Sequence, residues 1–176
     1  MNTFYSLLKN RRSTRKFSTQ TIENDKIETL KSTVLMSPTG KNAKEWEFIL
    51  VDDKDILASL AKSKEHGSEL IAKAPLAIVV LGDTTKSDVW IEDCSIASII
   101  LQLQAEELGL GSCWVQIRQR KQKNGTLAED SVRGLLDIPS HYAVVSIVAI
   151  GYKDESKKPK DESTLQREKI HMNKFQ

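Results

Sequence analysis

The densest group of chemically active side chains is the segment Arg11-Arg12-Ser13-Thr14-Arg15, which follows a short helical pattern. A guanidinium can bind a phosphate or a carboxylate through two parallel hydrogen bonds, and a serine hydroxyl adds a small donor. The segment therefore has the composition of an anion-binding turn. Taken alone, however, such a cluster favours a solvated basic turn.

A second polar segment, Ser37-Pro38-Thr39-Gly40-Lys41-Asn42, precedes a strand pattern that begins at Trp46. Proline, glycine and asparagine are typical of loops, and such a loop can present backbone N–H groups and a side-chain amide to a flat ligand. An ordinary connection between a helix and a strand has the same composition. The residue types alone do not separate the two interpretations.

The glycines of Gly109-Leu110-Gly111 look like part of a nucleotide-binding loop. A dinucleotide fingerprint requires a strand followed by a helix and a third glycine, whereas here a helix pattern precedes a strand pattern. We therefore interpret both glycines as left-handed caps that end the helix. Gly151 and Arg167 fit, locally, a strand end and a solvated tail.

The remaining reactive residue types indicate no further site. His66, His141 and His171 are isolated, so we expect no metal, and Cys113 fits a small core residue better than a nucleophile. The basic run 118–123 lacks interleaved aromatic residues and the net charge is only +2, so we expect no nucleic-acid partner. No Ser-His-Asp set or carboxylate pair indicates acid–base catalysis.

Hydrophobic periodicity predicts the elements that position these segments. Asp25 and Glu28 resemble a capping box at the start of the second helix. The alternation of elements predicts an α+β sandwich, in which helices cover a mixed, mainly antiparallel sheet. We predict helices from Phe4 to Asn10, from about Asp25 to a point before Pro38, across Ile56 to Leu60, at Trp90–Leu108 and at Ala128–Leu136, with a short helical piece near Leu70. We predict strands at Trp46–Val51, Leu76–Leu81, Ser112–Ile117 and Tyr142–Ile150, so that the two kinds of element alternate along most of the chain.

Two of these elements are apolar on every side. The run Leu76–Leu81 is typical of a central strand that is covered on both faces. The helix Trp90–Leu108 carries no charge between Ser95 and Leu103, so we expect it deep inside the domain or at a dimer seam.

Length and composition limit the cellular setting. The 176 residues fit one domain over 1–176, with a charged C-terminal extension from about residue 155. The longest uncharged run, Cys94 to Ala105, is too short to span a bilayer, and the charged N-terminus does not resemble a signal peptide. With two distant cysteines, Cys94 and Cys113, a reduced cytoplasmic protein is the simplest expectation.

Taken in order, these segments resemble the nitroreductase family over nearly the whole chain. Each motif is moderately specific, and the resemblance rests on seven of them in the family's order. They are RRSTRKF at 11–17, SPTGKN at 37–42 leading to WEFILV at 46–51, LAIVVLGD at 76–83, Asp93 with Ala97, ELGLGSCW at 107–114, LLDIPSHYAVVSIVAIGY at 135–152, and Arg167 with His171 and Phe175.

The resemblance implies an FMN-binding α+β fold that forms an intertwined homodimer, with the flavins at the subunit interface. The positions it assigns to FMN are Arg11, Arg12, Ser13, Arg15, Trp114, Val115, Gly151 and Arg167 of one subunit and Pro38, Thr39 and Asn42 of the other. Arg11, Ser13 and Arg15 would hold the phosphate and ribityl chain, with Arg12 beside them. Trp114 and Val115 would lie by the isoalloxazine ring. Gly151 and Arg167 would close the binding site at the phosphate end of the flavin.

The implied activity is hydride transfer from NAD(P)H through FMN to a small flat electron acceptor such as a nitroaromatic or a quinone, in a ping-pong cycle without a side-chain acid or base. A non-catalytic flavin-binding module with a regulatory or storage role is the alternative.

The chain departs from the family pattern at three positions. Lys44 and Glu45 stand where a glutamine and a proline are common, and Leu165 replaces a basic residue before the terminal arginine. The chain is also short between Lys62 and Pro75. We therefore expect a more open pocket and a weaker hold on the phosphate at that end.

Overall fold

The computed structural model describes residues 3–175, and its elements follow the predicted order. The α-helices are α1 (Phe4–Asn10), α2 (Asn24–Leu35), α3 (Lys54–Leu60), α4 (Trp90–Glu107) and α5 (Ala128–Leu135). The strands are β1 (Trp46–Val51), β2 (Leu76–Asp83), β3 (Gly111–Gln116) and β4 (Tyr142–Gly151). Short 3-10 turns lie at Gly40–Asn42, Glu69–Lys73, Glu162–Thr164 and Arg167–Lys169.

The four strands form one sheet in the order β1-β2-β4-β3, and every neighbouring pair is antiparallel. A single parallel bridge joins Ser13 to Ser112 and adds the segment after α1 to the free side of β3. All eight residues of β2 are buried, as its apolar run predicts. The predicted α+β class is thereby confirmed.

An apolar core lies on each face of the sheet, because successive side chains of a strand point to opposite faces. On one face, α3 and α5 pack over side chains such as Val79 and Ile147. On the other face, α2 and α4 pack over side chains such as Ile78 and Val148. This is the sandwich that the order of elements predicts.

The helix ends correct two expectations. The capping box at Asp25 and Glu28 is wrong, since α2 begins at Asn24 and its N-cap residue, Glu23, makes no side-chain capping bond. Gly109 has a φ of +77° and ends α4 in the left-handed conformation as predicted, but Gly111 is the first residue of β3. A side chain at Gly111 would collide with Thr14, because its Cβ would lie 2.5 Å from the threonine Oγ1.

Strand direction defines two opposite ends of the sheet. At the end that we call the arginine edge, β2 and β3 begin, β1 and β4 finish, and the turn 11–15 joins β3. At the other end, the loop edge, β1 begins at Trp46 directly after the segment 37–45. The two segments singled out from the sequence therefore lie at opposite ends of one sheet.

α4 runs from the loop edge to the arginine edge. Asp93, in its first turn, accepts a hydrogen bond from the Gly40 backbone, and Glu106, in its last turn, forms an ion pair with Lys153. From residue 93 to residue 106 an α-helix rises about 20 Å. That rise measures the separation of the two segments within one chain.

Large apolar side chains remain exposed on the helices that cover the α4 face. α1 and α2 both pack against α4. The exposed side chains are Phe4, Tyr5, Leu8, Leu35, Met36, Ile96 and Ile99, and we refer to them as the α4-side apolar surface. Within residues 3–175 no helix combines the length and the apolar character that crossing a membrane requires.

Candidate functional site

The arginine turn is held against the start of β3 by backbone contacts. The Thr14 N–H donates to the Ser112 carbonyl oxygen at 2.9 Å, and Thr14 itself is buried. Since neighbouring side chains in an extended segment alternate in direction, burial of Thr14 turns Ser13 and Arg15 away from it. The fold thus fixes the backbone of the turn and leaves its arginines partly or fully exposed.

The guanidinium groups of the turn differ in their partners. Arg12 donates to the backbone carbonyl of Lys158. The Arg11 and Arg15 guanidiniums make no hydrogen bond or ion pair with any residue in the range 3–175, although a basic group at a protein surface often pairs with a carboxylate. Two uncommitted guanidiniums beside a fixed backbone can accept an anion without breaking an existing bond.

The C-terminal segment lies along the arginine turn, which the sequence did not predict. The backbone N–H of Asp154 donates to the Lys16 carbonyl, and that of Lys160 donates to the Lys9 carbonyl. The Glu155 carboxylate accepts from the Arg15 backbone N–H, and this bond holds the pKa of Glu155 below its usual value. Lys157 donates to the Ser13 carbonyl, so another cation joins the turn.

Several basic side chains lie close enough to Cys113 for their charges to act on its thiol. Its thiol is buried and its pKa is raised by burial, while the charges of Arg15, Lys157 and Lys64 act in the opposite direction. The pKa of Lys64 is lowered, first by burial and then by the positive charge of Arg120. Lys64 and Lys157 had no signal in the sequence, because they reach this place only through long-range folding.

Trp114 and Val115 lie on opposite faces of β3. Val115 is buried in the core beneath α3 and α5, whereas the half-buried Trp114 packs on the α4 side and donates from Nε1 to Gln116 at 3.0 Å. One ligand can therefore touch only one of these two side chains. It would meet the other residue through the backbone of the strand.

Gly151 and Arg167 lie in different surroundings. Gly151 ends β4 opposite Gly111, and a Cβ there would lie 2.5 Å from the Cδ of Pro75. Close packing explains this glycine without any ligand. Arg167 is exposed in the C-terminal segment, near the carboxylate of Glu162, which in turn pairs with Lys9 of α1.

At the loop edge, the segment with Pro38, Thr39 and Asn42 is exposed but conformationally defined. The Thr39 hydroxyl oxygen accepts from the Lys44 N–H at 3.0 Å, and the Gly40 N–H donates to the Asp93 Oδ2 at 2.8 Å. Asn42 has a φ of +56°, in the left-handed region that asparagine tolerates better than most residues. The loop is thus anchored to α4 with its small polar groups facing outward.

A sequence model of the Nitroreductase family matches residues 8–65 and 57–152, which together make up most of the chain. This chain belongs to the nitroreductase family. The match includes every predicted site position except Arg167. Membership places the chain among oxidoreductases and confirms the resemblance drawn from the motifs.

Individual relatives of this nitroreductase-family chain agree with that assignment. The structure of an FMN-dependent nitroreductase from Clostridium difficile R20291 has 45% identity and a TM-score of 0.94, covering 96% of this chain and 98% of that one. A nitroreductase family protein from Clostridium difficile 630 has 26% identity and a TM-score of 0.81, covering 99% and 100%. An Archaeoglobus fulgidus protein named "Putative NADH dehydrogenase/NAD(P)H nitroreductase" is 32% identical over 170 residues, covering 94% of each chain.

The residues at the arginine edge fit a phosphate-bearing cofactor. The guanidiniums of Arg11 and Arg15 have no partner among residues 3–175, and Lys157 donates to the Ser13 carbonyl while it pairs with Glu155 at 3.0 Å. A phosphate group carries close to two negative charges at neutral pH and accepts several charge-assisted bonds. This donor set is incomplete for a flat ring system, since the loop residues lie at the far edge of the same sheet.

Proposed function

We propose that this chain is an FMN-dependent oxidoreductase that takes hydride from NAD(P)H and reduces small flat acceptors such as nitroaromatics or quinones. The arginine turn is the observation that carries the proposal. Its backbone is fixed by β3, and the guanidiniums of Arg11 and Arg15 make no hydrogen bond or ion pair within residues 3–175. The FMN phosphate supplies the partner that such a turn otherwise lacks.

We propose further that each flavin lies between two copies of the chain. Pro38, Thr39 and Asn42 are separated from the arginine turn by the length of α4, about 20 Å between the two anchor points. This distance favours a site in which the two segments come from different copies of the chain. In the proposed homodimer, the loop edge of one copy would approach the arginine edge of the other.

The α4-side apolar surface supports such a dimer. Ile96 and Ile99 of α4 are each 39% exposed, and Met36 at the end of α2 is 77% exposed. In the C-terminal segment, Ile170, Met172 and Phe175 add further exposed apolar area. Large apolar side chains exposed on neighbouring helices are typical of an interaction surface, and a second copy of the chain would bury them.

In the proposed mechanism FMN, when bound, supplies the hydride chemistry, and the protein supplies position and electrostatics. Arg11, Arg15 and Ser13 would bind the phosphate and ribityl end. Lys64 would place a positive charge near the ring and favour the negative charge that reduction creates. NAD(P)H and then the acceptor would occupy the same place in turn, which is a ping-pong order, and solvent would supply protons.

Two buried thiols, at Cys94 and Cys113, support a reducing location, and we propose that the protein acts in the cytoplasm.

A visible absorption spectrum of the purified protein, followed by anaerobic titration with NADH and NADPH, tests the central proposal. Flavin bands that bleach on titration would support the reductase and identify the preferred donor. Bands that persist with both donors would instead favour a non-catalytic flavin-binding module. A colourless protein that does not take up added FMN would refute the proposal.

The shared site is tested by mixing two defective subunits. Arg11→Ala damages the arginine turn, and Asn42→Ala damages the loop. If each flavin contacts both subunits, a purified heterodimer of these variants contains one intact site and one doubly damaged site, so FMN binding returns at one of two sites. If both segments of a site came from one chain, every site would carry one defect and binding would not return.

A further inference from the structure

Glu45 is an acidic residue with an unusual environment. It directly precedes β1 and is completely buried, and neither carboxylate oxygen accepts a well-formed hydrogen bond from a donor among residues 3–175. An ionised carboxylate without a donor or a cation is strongly destabilised in a protein interior. The side chain is therefore expected to be neutral, as a carboxylic acid with one O–H donor.

The carboxyl group that faces Glu45 belongs to Asp93, which is only 5% exposed. Asp93 Oδ2 accepts the Gly40 backbone N–H at 2.8 Å, so this side chain already anchors the loop 39–42 to α4. Two adjacent buried carboxyl groups cannot both be ionised without strong repulsion. Burial, together with the contact to Asp93, raises the pKa of Glu45 above its ordinary value.

The other groups around Glu45 do not compensate a second negative charge. The backbone of Glu45 and the Ser87 hydroxyl, in the segment before α4, act to lower the pKa of Glu45, but burial and the contact with Asp93 outweigh them. Cys94 of α4 has a pKa raised to about 12, mainly by burial and further by Glu45 and Asp93. Lys44, which directly precedes Glu45, is exposed, and Lys86, which directly precedes Ser87, pairs with Asp83 at 3.3 Å. No ion pair forms with either carboxyl group in the described part of the chain.

We propose that Glu45 is a positioning residue, which shares its proton with Asp93 and thereby fixes the loop 39–42 against α4. The O–H of Glu45 donates to the carboxylate that receives the Gly40 N–H, so one proton links the start of β1, the first turn of α4 and the loop. When this proton is lost, repulsion between the two carboxylates pushes apart the groups that hold Gly40. The loop then loses its fixed position.

The consequence for flavin binding rests on the proposed function, because this loop would contact the FMN of the partner subunit. Deprotonation of Glu45 would weaken FMN binding although Glu45 touches no part of the flavin. Glu45→Gln keeps a neutral donor of nearly the same shape, so this variant should hold the loop at every pH. Glu47→Gln is a matched control, since Glu47 lies two residues further along the chain, in β1, and is exposed.

The first measurement is a pH titration by NMR of the full chain, without added flavin, following the Gly40 amide. In the wild type and in Glu47→Gln this amide should shift with an acid whose pKa lies above that of an ordinary glutamate. In Glu45→Gln the shift should be absent. In Asp93→Asn it should move to lower pH, because the new side-chain amide can donate to a Glu45 carboxylate. A Gly40 amide that titrates identically in Glu45→Gln would overturn the inference.

The second measurement is the FMN dissociation constant above neutral pH, where the phosphate no longer titrates because its second pKa is about 6. Once the pH exceeds the pKa of Glu45, affinity should fall by up to about tenfold per pH unit in the wild type and in Glu47→Gln. Glu45→Gln should show no such fall. If all three proteins lose affinity in parallel, Glu45 does not position the loop. If no FMN binds at any pH, the proposed function fails, while the Gly40 titration still decides the role of Glu45.

Discussion

Replacement of Arg11 by alanine separates binding of the cofactor from stability of the fold. The Arg11 guanidinium makes no hydrogen bond or ion pair within residues 3–175 and is only partly buried. Surface substitutions without such contacts usually change the free energy of unfolding by about 0.5 kcal/mol or less. Arg11→Ala should therefore unfold at nearly the same urea concentration as the wild type.

The effect on FMN affinity should be much larger. A hydrogen bond to a charged group contributes about 1.5–3 kcal/mol. Since about 1.4 kcal/mol corresponds to a tenfold change in the dissociation constant, loss of Arg11 should weaken FMN binding by roughly 10- to 150-fold. The affinity should also depend less on salt concentration than in the wild type, because one cation of the site is gone.

Quenching of flavin fluorescence on titration with apoprotein measures this affinity directly. Arg118→Ala is a suitable control, because Arg118 is a surface arginine after β3 that contacts the Trp90 ring rather than the arginine turn. The control should bind FMN as the wild type does. If Arg11→Ala retained wild-type affinity while riboflavin and FMN bound equally well, the phosphate would not lie at this turn and the assignment would be wrong.

Three further predictions follow from contacts within the chain. Glu45→Gln should be more stable than the wild type once the pH exceeds the ordinary pKa of a glutamate, and the difference should widen with rising pH until Glu45 is ionised in the folded protein. The raised native pKa means that stability is lost as the proton leaves, and urea unfolding at several pH values measures the difference. Ile99→Glu should abolish the proposed dimer, measured by sedimentation, and with it FMN binding, measured by flavin fluorescence. Leu135→Glu, at a similarly exposed site on α5, should affect neither. Gly111→Ala should lower the free energy of unfolding by about 1–3 kcal/mol, because the new Cβ collides with the buried Thr14. Gly134→Ala is the control: nothing lies near its Cβ, so it should stabilise α5 by roughly 0.5–1 kcal/mol in the same urea unfolding assay.

Local patterns predicted the elements well, because burial in this fold follows simple periodicities. The run at Leu76 forms the central strand, and the uncharged middle of Trp90–Leu108 covers one face of the sheet while it exposes Ile96 and Ile99. The capping box failed because α2 already begins at Asn24, and the carboxylate of its N-cap residue, Glu23, accepts from the distant Tyr152 hydroxyl and does not cap the helix. A local rule cannot include such a contact.

The candidate site was predicted less completely, for the same physical reason. Arg11, Ser13 and Arg15 could be recognised by type and spacing, but Lys157 and Lys64 join them only through tertiary structure. Glu45 looked like a departure from a loop pattern and is in fact a buried partner of Asp93. Its role depends on a contact across 48 residues of sequence, which spacing alone does not reveal.

In the proposed dimer, the separation of the two segments would also link flavin binding to association of the chains. If each FMN contacts the arginine turn of one copy and the loop of another, the cofactor binds the dimer far better than the isolated chain. Any ligand that binds one state preferentially stabilises that state by mass action. FMN should therefore favour the dimer, and dilution should release FMN. If one shared proton fixes the position of the loop, a change in pH would then alter both FMN binding and dimer formation. The reason is that Glu45 and Asp93 hold the loop that would contact the FMN of the partner subunit.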